Sequence, residues 1–318
     1  MIKKLDYTFV VLSYNHENYI LEHLESIKFQ IQNFGGKYSI DLIVADDGSK
    51  DNTIYLAILW ISKHKSLFRS VTFTGKSANL GTCKNYTNAW KKIKTSAFKI
   101  TSSDDVYSKE NIFKYNRYLQ DSDLVSCLPV HLVDKKLFLN KWDIFQIIAS
   151  DVVYKKYMDR MKKISNFNAP NLFFDQKVIL NKKIFNFIRD FKITEDYPMQ
   201  IMLGIVINEP KVRLINNVAV YYRRTINSAF IIKNDDFLED KNRIFSYLLK
   251  IEPSQIGKLM ILNRIFCLNI KNKLLSRVLN LNIYVFFIRV FFNFKKVFKL
   301  FRSTDINLGN GLQLRKLD

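Results

Sequence analysis

Five short polar clusters interrupt an otherwise apolar-rich chain: Ser13-Tyr14-Asn15, Asp46-Asp47-Gly48-Ser49, Ser102-Ser103-Asp104-Asp105, Thr194-Glu195-Asp196 and Tyr222-Arg223-Arg224. The first two follow the apolar runs YTFVVLS and IDLIVA, at residues 7–13 and 40–45. Polar groups at the ends of two buried strands suggest one nucleotide pocket, because open α/β sheets bind ligands in the crevice outside the carboxyl ends of their strands. Two other readings stand beside this one. Asp-Asp-Gly-Ser is also good turn chemistry, and adjacent acids at a helix start complement the macrodipole.

The elements that must position these clusters follow from apolar periodicity. Residues 7–13, 40–45, 71–73 and 98–101 read as short buried strands, and 18–30, 51–60 and 83–94 as helices, with Asp51 or Asn52 capping the second. Strand and helix thus alternate through about the first 105 residues, the pattern of βαβ units around a parallel sheet. Right-handed connections place the strand ends along one edge, so the clusters face one crevice. Further on, residues 124–128, 172–174, 178–180, 212–214 and 218–222 are expected as strands, with helices within 141–163 and from Thr194, read as a cap.

The 318 residues carry 50 Lys+Arg against 29 Asp+Glu, a formal net charge of +21. From Lys241 to Asp318 there are 15 basic residues and only Glu252, Asp305 and Asp318, so +12 of the excess lies in the last quarter. Such charge calls for a polyanion: nucleic acid, an anionic membrane surface or a phosphorylated substrate. No nucleic-acid module accompanies it, and it coincides with a phenylalanine-rich segment, which argues against nucleic acid. Residues 289–302 (RVFFNFKKVFKLFR) read as one helix, basic on one half and Val/Phe-rich on the other, suited to a membrane interface. A helix packed on the domain with solvated lysines fits the same pattern. Lys and Arg interrupt every apolar stretch long enough to span a bilayer. Cys83, Cys127 and Cys267 form no CxxC pair, the four histidines show no metal-ligand spacing, and no secretory leader is recognised. The expected location is cytoplasmic, peripheral on the inner face of the cell membrane.

Taken in order, VVLSYNHENYI, IVADDGSKDNT, ANLGTCKN, ITSSDDVY and ITEDYPM followed by YYRR resemble an inverting family 2 glycosyltransferase of the GT-A fold, bacterial surface-polysaccharide type. The resemblance spans residues 7–228. It implies an α/β catalytic domain, 1–233, with a Rossmann-like, mostly parallel sheet flanked by helices, divided into a nucleotide-binding half (1–105) and an acceptor half (106–233). A basic, Phe-rich helical region, 234–318, follows. The implied reaction moves a sugar from a nucleotide-diphosphate-sugar, a UDP-sugar favoured, to a hydroxyl of a glycan or lipid-linked saccharide.

Carried over position by position, Asp46 accepts the ring N–H of the base, with Ser13, Tyr14, Asn15 and Asp47 around base and ribose and Gly81 of Asn79-Leu80-Gly81 nearby. Asp104 holds Mn²⁺ or Mg²⁺ with Asp105 beside it, and Asp104 also counts as a nucleotide contact. Asp196 is the general base and Glu195 its support. Arg223 or Arg224 covers the diphosphate, Lys84 approaches phosphate, and Ala169-Pro170-Asn171 floors the donor sugar. Ser102 stands where the family pattern carries its first acid. That departure keeps a second reading open, a catalytically impaired nucleotide-sugar-binding or scaffold protein.

Overall fold

The computed structural model describes residues 5–75, 78–163, 167–224 and 235–304. β1 (Leu5–Ser13), α1 (Ile20–Phe34), β2 (Tyr38–Asp46), α2 (Thr53–Lys63), β3 (Ser70–Gly75), α3 (Thr82–Trp90) and β4 (Ala97–Ser102) alternate as the sequence predicts. They build a parallel sheet in the order β3-β2-β1-β4. Its register aligns Ser13 with Asp46 and Leu12 with Ser102, so three polar clusters leave neighbouring strands at one edge. Alternation along β1 sends Val10 into one core with Ile43, Ala45, Phe98 and Trp90, and Phe9 and Val11 into another with Leu24, Ile27, Trp60 and Phe113. Strands buried on both faces read as continuous apolar runs for this reason.

β5 (Val106–Tyr107), α4 (Phe113–Tyr118), β6 (Leu124–Ser126), β7 (Val130–Val133), β8 (Lys136–Phe138), α5 (Lys141–Val153) and α6 (Tyr157–Lys163) follow. After them come β9 (Leu172–Phe174), α7 (Gln176–Ile179), α8 (Lys182–Arg189), α9 (Asp196–Val206), β10 (Val212–Leu214) and β11 (Val220–Arg223). Two small mixed sheets result, β10-β6-β9 and β5-β11-β7-β8. The β7–β8 hairpin escapes the sequence reading because its turn places Asp134 and Lys135 at positive φ, 46° and 62°, without the glycine that marks such turns. Residues 178–180, expected as a strand, fall at a short helix that Asp175 caps by accepting from Lys177 N–H at 2.8 Å.

α10 (Asp235–Ile251), α11 (Gln255–Leu268), α12 (Lys273–Val278), α13 (Leu281–Phe292) and α14 (Phe294–Ser303) complete the described chain. The division expected at residue 234 does not separate two cores. Ile244, Phe245 and Leu248 of α10 and Ile261 of α11 lie in the same core as Val10 and Ile43 of the sheet. The helix expected over 289–302 is two helices broken at Asn293, and its apolar residues divide: Val290 and Val297 are buried with Ala149 and Val153 of α5, while Phe291 and Phe294 are exposed. No helix among the described residues is long and apolar enough to cross a membrane.

Candidate active site

The loops after β1 and β2 are stapled to each other through side chain to backbone bonds. Asn15, at φ 53°, donates its N–H to Ser49 Oγ at 2.8 Å and accepts from Lys50 N–H at 2.8 Å. His16 N–H reaches Thr53 Oγ1 at 2.7 Å, and the His16 Nδ1 position shares a 2.8 Å hydrogen bond with Ser103 Oγ, tying in the third cluster. Tyr14 stays partly exposed at the mouth.

The two aspartates that end β2 have different work. Asp46 accepts from Ser13 Oγ at 3.0 Å, Gly48 N–H at 3.0 Å, and Ser49 N–H and Oγ at 2.8 and 2.5 Å. A carboxylate offers about four acceptor sites, so the loop itself satisfies Asp46. Asp46, expected to meet the base, is thus engaged by its own loop. Asp47 accepts from only Leu80 and Gly81 N–H, at 2.8 and 2.9 Å, and burial pushes its carboxyl above the ordinary range. Gly81 has φ 89°, and a Cβ there would lie 2.8 Å from Lys192 O, so glycine is required at this contact.

At the end of β4 the two acids again differ. Among the described residues the Asp104 carboxylate receives no hydrogen bond. Asp105 is buried, and its Oδ1 accepts the Arg223 N–H at 2.9 Å while its carbonyl accepts from His23 at 2.8 Å. Burial first, then Asp104, pushes the Asp105 carboxyl well up. β5 pairs antiparallel with β11, which brings Asp104-Asp105 beside Tyr222-Arg223. Arg223 is one of the two arginines expected over the diphosphate. It is buried, pairs with Glu22, donates to the Asp104 carbonyl at 2.5 Å and stacks 4.8 Å over the Tyr19 ring, so it braces the turn that carries Asp104. Asn171, read as floor of the donor sugar, is also buried and pins β11 through Ala219 and Val220.

Glu195 and Asp196 open α9, with Glu195 as the N-cap and Thr194 contributing no side-chain cap. The missing positioning comes from α10. Buried Asp240 gathers three consecutive backbone donors, Lys192 N–H at 3.0 Å, Ile193 N–H at 2.8 Å and Thr194 N–H at 2.9 Å. Burial, then the charge of Asp196, pushes the Glu195 carboxyl up to about 8. Lys241, over the Tyr197 ring at 4.7 Å, has its pKa lowered by burial and opposed chiefly by Asp196. The Tyr222 phenol is raised by burial and then by Asp105, Asp104 and Asp196.

The Glycosyl transferase family 2 profile matches residues 8–194, more than half of the chain. The chain belongs to glycosyl transferase family 2. No curated protein matches it by sequence. Among solved structures, S. aureus TarS 1–349 in complex with UDP-GlcNAc is similar at TM-score 0.56 and 17% identity, over 83% of this chain and 72% of that one. The mannosyltransferase PcManGT from Pyrobaculum calidifontis, in complex with GDP-Man and Mn²⁺, gives 0.59 at 12% identity, over 98% and 86%. A longer S. aureus TarS chain is matched at 0.53 and 15%, and the matched region spans only 44% of it. These likenesses show the fold, the mostly parallel GT-A sheet flanked by helices.

Within this glycosyltransferase, the sheet register brings Ser13, Asn15, Asp46, Asp47 and Asp104 to one edge, and β11 and α9 close on it from the second half. Asp240 and Lys241 were missed. Their only sequence signal is an Asp-Lys pair in a helical stretch, indistinguishable from a solvated helix face. Among the described residues no group of three or more His, Cys, Asp and Glu is arranged to hold a metal. The carboxylate donor set still fits a hard divalent ion, since Mg²⁺ and Mn²⁺ sites of this kind take one or two carboxylates and complete their shell with phosphates and water.

Proposed function

We propose that the chain transfers a sugar from a nucleotide-diphosphate-sugar, a UDP-sugar in the first instance, to a hydroxyl of a glycan or lipid-linked saccharide, with inversion. The observation that carries this is the β5–β11 pairing, with the Asp105–Arg223 bond, which sets the Asp104-Asp105 turn beside Tyr222-Arg223 at the sheet edge. Solved neighbours that hold UDP-GlcNAc or GDP-Man with Mn²⁺ support the donor class.

Asp47, with acceptor capacity beyond its two backbone bonds, takes the ring N–H of the base. Ser13, Tyr14 and Asn15 line the base and ribose. Asp104 would hold the divalent ion with Asp105 beside it, and a bound ion offsets charge on the departing diphosphate. Asp196 accepts the proton of the acceptor hydroxyl as that oxygen bonds to the anomeric carbon and the bond to the diphosphate oxygen breaks, the nucleoside diphosphate leaving with the electron pair. Glu195, held up to about 8 by burial and then by the neighbouring Asp196, keeps a proton near neutrality. The work takes place on the inner face of the cell membrane, where a lipid-linked acceptor would lie.

Nucleoside diphosphate release from a panel of nucleotide sugars, with Mn²⁺ or Mg²⁺ and with EDTA, tests the reading. Release that depends on the divalent ion and disappears in Asp196→Asn supports it. Tight nucleotide binding with no release from any donor and acceptor would overturn it in favour of a scaffold.

A further inference from the structure

The C-terminal helices present an outer surface that no part of the described chain covers. Residues 255–304 contain ten Lys and Arg and no Asp or Glu. Sixteen of the 27 exposed large hydrophobic residues among the described residues also lie there. Ile256 and Leu259 of α11, Leu274 of α12, and Phe291 and Phe292 of α13 are 64–79% exposed. Exposed Lys271, Lys273 and Arg277 neighbour Leu274 in the chain.

This exposure belongs to anchored helices. Asn263 donates to Leu279 O at 2.9 Å and accepts from Leu281 N–H at 2.8 Å; Asn282 donates to Met260 O at 3.0 Å, and Ser276 to Cys267 O at 2.7 Å. Phe286 and Val290 bury the inner side of α13 against Ala149 and Val153 of α5. With the inner side occupied, the outer apolar side chains face solvent. Exposed apolar side chains concentrated in this way on anchored helices mark an interaction site.

We infer that the outer face of α11–α13 seats the protein on an anionic lipid bilayer, its Leu, Ile and Phe side chains entering the interface and the cations of α12 and α14 meeting lipid headgroups. Charge decides among the occupants. A second copy would set seven exposed cations against seven, a repulsive pairing. The tail at residues 305–318 carries two acids and two bases and offers no net complement. An anionic surface is complemented by the seven exposed cations of the segment, Arg264 and Arg289 being turned inward onto the carbonyls of Lys162 and Val153, and apolar burial with electrostatic attraction is how interfacial helices bind. This moves the contact from the Phe298–Phe301 side of α14, which packs on Phe145, to the face of α11–α13. The inference deepens the membrane part of the proposed function and does not depend on the transfer step.

The test is co-sedimentation of the full chain with vesicles of phosphatidylglycerol and phosphatidylcholine, and with phosphatidylcholine alone. Binding to the anionic vesicles only is expected, weakened about tenfold or more in Phe291→Ser/Phe292→Ser and in Leu274→Ser/Leu275→Ser. A chain ending at Thr304 should bind as the full chain does. Nucleoside diphosphate release in the absence of vesicles should be equal in all these variants. If the full chain stays in the supernatant, or the double variants sediment like the parent, the inference is wrong while donor turnover can still stand. It also fails if the parent is a dimer that the double variants dissociate. Vesicle binding without turnover of any donor leaves the inference in place and removes the transfer reading instead.

Discussion

The crevice at the strand ends and the outer face of the C-terminal helices treat charge in opposite ways. In the crevice the acids come in adjacent pairs, and four of the six are held by backbone N–H groups: Asp46 by Gly48 and Ser49, Asp47 by Leu80 and Gly81, Asp105 by Arg223 and Asp196 by Tyr197. Among the C-terminal helices seven exposed cations accompany exposed apolar side chains, and their own segment supplies no acid. Fixed dipoles around a buried carboxylate define its position and its protonation state, which acid–base chemistry needs. Exposed cations beside exposed hydrophobics define only a plane and a sign, which suits a surface with no unique binding geometry. One chain thus separates positional precision from general adhesion.

Substitutions can break or sharpen that contrast. Asp196→Asn should lower kcat by about 10²–10⁴-fold with donor affinity and vesicle binding held, measured by steady-state kinetics, calorimetry and co-sedimentation. A loss of vesicle binding in the same variant would merge the two regions. Asp240→Ala leaves three backbone N–H groups without their acceptor, and urea unfolding should show a loss of about 3 kcal/mol. Asp240→Asn should retain more stability yet lower kcat more than it raises the donor KM. Gly81→Ala meets both φ 89° and the Lys192 carbonyl, with an expected cost of about 1–3 kcal/mol and weaker nucleotide binding.

The pH dependence has a definite sign. The Glu195 carboxyl sits at about 8 in the folded chain against an ordinary 4.5, so the native state holds the extra proton between those values. The stability this contributes is present below about 4.5 and is lost as pH rises through about 8. Thermal unfolding from pH 6 to 9 should therefore fall more steeply in the parent than in Glu195→Gln; equal slopes would remove the buried proton from the site. The smallest effect is expected on the helical face, where Leu274→Ser/Leu275→Ser should change folding stability by no more than about 0.5 kcal/mol.

Part of the site was legible because its local chemistry repeats in the chain. The apolar run before Ser13, the run before Asp46 and the one before Ser102 each declare a strand and its end. Roles within each pair were less legible. Asp46 and Asp47 are the same residue type one position apart, and only the donors around them tell loop builder from open acceptor. The resemblance offers Arg223 as a clamp, and nothing in the sequence foretells its burial against Glu22 and Tyr19 beneath Asp104. Residues 289–302 show clean amphipathicity, but periodicity says which residues share a side and not what that side meets.

By itself the sequence determined the alternating βαβ order, the strand-end clusters, their family resemblance and the basic, acid-poor C-terminus, since apolar period and residue type are local properties. Tertiary structure alone decided that α10 shares the sheet's core and that Asp240 holds the loop before Asp196. It also decided that the exposed apolar face lies on α11–α13. Each of these depends on contacts between segments distant in the chain, and burial there follows from which surfaces meet.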